Sequence, residues 1–151
     1  MSIELDEQGR PEAPTTGDEI ATLLGFLDYL RATIGWKTDG LRDDQLHEKP
    51  LPSTMSLGGM LKHLAFVEDF WIGMTVRGRP PAEPFSSAPW DDDPDWEWSS
   101  SAWDTADELR GLWGGAVEAL QPQRVTARID DRDRHRPVMG KRFGLGGEVG
   151  V

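Results

Sequence analysis

Among side chains able to bind a metal or move a proton near neutral pH, the chain offers three histidines, at positions 47, 63 and 135, and no cysteine. Without cysteine there is no disulfide, no thiolate ligand and no Cys nucleophile, so any thiol chemistry needs a thiol brought in from outside. No HExxH or other paired-ligand spacing occurs, nor a G-x-S-x-G elbow, a phosphate loop or a convincing dinucleotide fingerprint. His63 is the position to argue from. It sits in LGGMLKHLAFVE, on an apolar row between Met60 and Val67, and a largely buried imidazole needs a partner for its ring nitrogens. A metal ion held by inward-pointing side chains of a helical bundle is one such partner. A backbone carbonyl or a carboxylate is the other, and local sequence leaves both open.

His47 lies in the polar connector DDQLHEK, where a solvated role is expected, and His135 lies in RDRHRP, where the surrounding arginines oppose a bound cation. Asp91, Asp92, Asp93, Asp95 and Glu97 form an acidic run without the register of an EF-hand, so it reads as a solvated loop. Trp90, Trp96, Trp98 and Trp103 flank it. Such a cluster either lines a ligand pocket or partner surface, or covers the end of a bundle.

These residues are positioned by segments with helical periodicity. Ile20, Leu23, Leu24, Leu27, Leu30 and Ile34 follow a 3-4 spacing that predicts a helix over about 18–38, opened by a capping box at Thr16-Gly-Asp-Glu19. A second helix is expected from about Leu57 to Val76, capped by Ser53, Thr54 or Ser56 and stopped by Gly78 and Pro80-Pro81. Nearly half its circumference is apolar, which predicts a central helix. Residues 79–100, with five prolines, read as a long loop. A third helix follows the Ser101-Ala-Trp-Asp104 cap region, with Trp103, Ala106, Leu109, Trp113, Val117 and Leu120 in register, and ends near Gln121-Pro122. No apolar stripe marks a fourth helix beyond it.

The reading is therefore all-α, in three parts: a flexible N-terminal segment (1–16), a helical bundle domain (17–121) and a divergent Arg/Gly-rich tail (122–151). At 151 residues the chain is long enough for one core, burying roughly 68–70% of its unfolded surface. It carries 27 acids against 16 bases, a net charge of −11, which disfavours a nucleic-acid partner by like-charge repulsion. Residues 1–120 are strongly acidic, whereas residues 121–151 are mildly basic. The polar, acidic N-terminus has no secretory pattern and no apolar run is long enough to span a bilayer, so a cytoplasmic, membrane-free protein is expected.

Taken together, GDEIATLLGFLDYLRATIGWKTDGL, LPSTMSLGGMLKHLAFVEDFW, the acidic Trp-rich loop and SAWDTADELRGLW resemble the DinB-like superfamily. The likeness is greatest to the actinobacterial subgroup related to mycothiol-dependent maleylpyruvate isomerase-type proteins, and it covers about residues 11–120. It implies a DinB-like four-helix bundle, commonly a homodimer, in which His63 is the first ligand of a divalent metal such as Zn or Ni. Members complete that site with a His or Glu plus a His from a later helix. No such segment follows Gln121 here, so the fourth helix is expected to be absent or degenerate and the metal site incomplete.

Two readings of function follow. The resemblance implies a metal-dependent thiol transferase or isomerase, with mycothiol as cosubstrate and a small-molecule substrate. The alternative is a non-catalytic interaction or stress-associated module that dimerises through an exposed apolar face.

Overall fold

The computed structural model describes residues 5–120; the expectations for residues 122–151, including the fourth helix and the setting of His135, lie outside the described residues. Five α-helices follow in order: α1 (Glu19–Thr38), α2 (Asp43–His47), α3 (Leu57–Glu68), α4 (Trp96–Ser100) and α5 (Ala106–Leu120). A π-helical stretch, Asp69–Val76, continues α3, and a 3-10 turn, Ser101–Trp103, follows α4. Among the described residues there is no strand, only an isolated bridge between Leu5 and Pro11. The fold is all-α and consistent with a DinB-like bundle.

Local chemistry sets the helix ends, in two places differently from the sequence reading. Asp18, not Thr16, caps α1: its carboxylate accepts from the Ala21 N–H at 2.8 Å. The charged acceptor sits closer to the first turn and also suits its positive dipole end. Ser56 caps α3, accepting from the Gly59 N–H at 3.0 Å. The last helix starts later than expected, at Ala106, because Thr105 and Glu108 form the reciprocal cap: the Glu108 carboxylate accepts from the Thr105 N–H at 2.8 Å, while the Thr105 hydroxyl accepts from the Glu108 N–H. Trp103, read as the first stripe residue, is 81% exposed. At the far end of the π-helical stretch the chain reverses through Gly78, whose φ of +64° a side chain would strain.

Helix α3 is central. It packs on α5, α4 and α2, and Leu61, Ala65, Leu46, Leu109, Trp113, Ala106 and Phe85 form the buried core. Each fully buried Leu contributes about 1.5–3 kcal/mol of burial free energy. Helix α1 joins this core chiefly through polar groups. Arg31 donates to both oxygens of Glu68 on α3 at 2.7 Å, with both side chains buried. Burial would lower the guanidinium pKa, but the bonds and charge of Glu68 prevail and hold it above its ordinary value. Arg110 on α5 donates to the carbonyls of Thr38 and Leu41, satisfying orphan acceptors where α1 ends. Preceding α1, Arg10 donates to Thr33 and lies over the rings of Tyr29 and Trp36. No helix of the described residues is long and apolar enough to cross a membrane.

Candidate functional site

His63 stands in the middle of α3, on the side covered by α4. Its side chain is one-third exposed, and its Nδ1 lies 3.0 Å from Oε1 of Glu97. Of the two kinds of partner left open by the sequence, the described residues supply a carboxylate. Glu97 comes from the first turn of α4, in DPDWEWSS, and its side chain is only 6% exposed. The acidic run is thus not uniformly solvated: Asp91, Asp92 and Asp95 are exposed, whereas Glu97 is folded inward. Its other oxygen, Oε2, is buried with no hydrogen-bond partner among the described residues. A half-satisfied buried carboxylate is costly, so its position calls for a reason.

The next residue completes the imidazole's setting. The Trp98 ring stacks on His63 with centroids 4.7 Å apart and planes 26° from parallel. Room for the indole comes from Gly59, one turn before His63 on the same face: a Cβ there would fall 2.7 Å from Trp98 Cε3. Trp98 also borders a recess of about 220 Å³ lined by Lys49, Thr54, Ser56, Asp95 and Ser99. A larger groove of about 630 Å³ lies along α1 and α5, lined by Arg31, Trp113 and Val117 among others, without His63.

The other side of the Trp-rich segment is structural. Lys62, buried beside His63 in sequence, donates to Asp104 at 2.6 Å and lies 4.5 Å from the centre of the Trp96 ring. Trp96 meets Trp90 edge to face, and Trp90 packs on Phe66. The tryptophans therefore divide: Trp90 and Trp96 cover the core, Trp98 covers His63, and Trp103 is exposed. His47 differs from its expected solvated role, for its Nε2 is buried without a partner among the described residues. The short helix α2 turns this ring toward Gly58 of α3, which a reading of DDQLHEK as a connector could not anticipate.

Sequence reasoning singled out His63 and did not foresee Glu97 and Trp98 beside it. They lie 34 and 35 positions away, and no local spacing links them; an acid between two tryptophans was the available signal. Among the described residues, no group of three or more His, Asp or Glu converges as a metal-binding set. What they do bring together is an imidazole on a rigid helix, with its ring plane set by a carboxylate and an indole.

No curated protein and no solved structure matches the chain. The family model described as mycothiol-S-transferase matches residues 22–145, reaching beyond the point where the sequence reading set the tail apart. Because that match spans most of the chain, from α1 through His63, Glu97 and α5, the chain belongs to the mycothiol-S-transferase family, a DinB-like family.

Proposed function

We propose that the protein is a thiol S-transferase or isomerase-type enzyme that uses mycothiol as cosubstrate and acts on a small electrophile, with His63 as the first ligand of a divalent cation. Family membership supports the thiol. The single observation that carries the site is His63 held at mid-α3, its Nδ1 engaged at 3.0 Å and its Nε2 without a partner among the described residues. Those residues fit one ligand of a metal site and not a whole one, so the remaining donors must come from outside them. A divalent cation such as Zn²⁺ or Ni²⁺, held there by His63 and further donors, would lower the pKa of a thiol and favour the nucleophilic thiolate. The chain's own contribution is to fix the imidazole and to shield one of its faces with Trp98. The absence of cysteine agrees with a nucleophile that arrives with the cosubstrate.

A homodimer joined through α1 belongs to the same proposal, supported by the exposed Ile20, Leu23, Leu24 and Leu30. The test of the site is metal content by elemental analysis of untagged protein purified without chelator, beside His63→Ala, followed by mycothiol-transfer assays against several electrophiles. About one Zn or Ni per chain, lost in the variant together with turnover, is the expected result. Metal-free wild-type protein without metal-dependent turnover overturns the proposal.

A further inference from the structure

We propose that Glu97 is a positioning residue for His63: its carboxylate accepts the proton on Nδ1 and thereby fixes the imidazole as the tautomer whose Nε2 lone pair is free to bind. The proposal rests on the reading of His63 as a ligand given above, but its first test does not.

In a neutral imidazole one ring nitrogen carries the proton and the other the lone pair, and the bond made by one decides which is which. An ionised carboxylate only accepts, so a carboxylate 3.0 Å from Nδ1 places the proton on Nδ1 and leaves the lone pair on Nε2. Ring orientation is fixed as well, because Trp98 stacks on one face at 4.7 Å while Glu97 holds the edge. A carboxylate behind a histidine in this way is the usual support of a metal-binding imidazole, setting tautomer and raising basicity.

Glu97 is also costly where it stands. Its side chain is buried, yet Oε2 has no partner among the described residues. Lys62, next to His63 in sequence, directs its ammonium to Asp104 at 2.6 Å and gives Glu97 no hydrogen bond. A glutamate serving stability alone would have both oxygens satisfied, or an apolar residue would stand in its place. Among the described residues, the one side-chain bond made by the carboxylate goes to His63. The burden is accepted where strain and desolvation are commonly found, beside a functional group.

Nitrogen-detected NMR of ¹⁵N-labelled imidazoles in the metal-free full chain, above pH 8, reads the tautomer directly. Wild type is expected to show His63 protonated at Nδ1. Glu97→Ala should populate both tautomers, and Glu97→Gln, whose amide can accept or donate, should lie between them. Circular dichroism checks the helices, and Glu97→Gln preserves the test if the alanine variant fails to fold. A His63 tautomer identical in wild type and a folded variant, or protonated at Nε2 in wild type, overturns the proposal. Zn²⁺ affinity, measured by competition with a chromophoric chelator, should fall about 10–100-fold in Glu97→Ala, with a smaller loss in Glu97→Gln. A shifted tautomer with unchanged Zn²⁺ affinity overturns the claim that orientation matters for binding. Wild-type protein that binds no Zn²⁺ but shows the expected tautomers overturns the metal-ligand reading of His63 and leaves the Glu97 assignment standing.

Discussion

Helices α1 and α3 carry the same kind of apolar spacing and end in opposite surroundings. On α3, Leu61 and Ala65 are fully buried, and helices α2, α4 and α5 pack on the helix that bears them. On α1, Ile20 and Leu23 remain 68% and 64% exposed, and the residues most deeply buried are polar, Arg31 and Thr38. Periodicity thus reports where apolar side chains gather along a helix, but not what covers them. In the described residues, α1 is attached by ion pairing and carbonyl capping with Ile34 as its apolar contact to the core, whereas α3 is attached chiefly by packing.

The sharpest way to break this comparison is to cut the attachment of α1. Glu68→Ala leaves the buried Arg31 with only its 3.3 Å contact to the half-exposed Asp28, which is expected to cost about 3–5 kcal/mol of unfolding free energy in a urea titration. Replacing both partners by apolar residues, Arg31→Met with Glu68→Leu, should recover most of that loss, because the penalty comes from the orphaned charge rather than from the pair itself. A loss below about 1 kcal/mol in Glu68→Ala would place Arg31 in water and remove the polar anchor from the account of α1.

Next in size is the packing side of the comparison. Leu61 is completely buried in the core with Leu46, Leu109 and Trp113. Leu61→Ala should therefore cost about 2–5 kcal/mol, transfer and cavity contributions together. Because Leu61 is two residues from His63, the same variant should also loosen the Nδ1 contact with Glu97, visible as a change in the His63 imidazole signals. A loss of the size seen at surface positions would mean that α3 is not the centre of the bundle.

The parts of this arrangement legible in the sequence are those written into contiguous residues. Helices α1 and α3 and most of α5 follow from apolar spacing, and His63 from its place on α3. The boundaries that moved did so because competing caps were available: Asp18 lies nearer the first turn than Thr16, and Thr105 with Glu108 displaces the cap expected near Ser101. Helix α4 was hidden by DDDPD, since proline and aspartate signal a loop while the tryptophans that stabilise the turn act through tertiary contacts with α3. The same cause hid Glu97. In a solvated acidic run its carboxylate looks like its neighbours, and only the packing of Trp96 and Trp98 on either side turns it inward.

The smallest expected effect bears most directly on what α1 is for. Leu23 is exposed and belongs to the stripe that periodicity assigns to a core. If nothing covers it in solution, Leu23→Ala changes stability by no more than about 0.5 kcal/mol, the range of ordinary surface substitutions. A loss above about 2 kcal/mol would mean that the stripe is buried after all. Repeating the titration at several protein concentrations then identifies the cover. Burial against a second copy makes the unfolding midpoint rise with concentration, because association stabilises by mass action, whereas burial within one chain does not. A concentration-dependent midpoint in wild type that is abolished in Leu23→Ala would support the α1-joined homodimer. A concentration-independent loss would instead assign the covering surface to the same molecule, making α1 and α3 alike in being packed and different only in which part of the chain packs them.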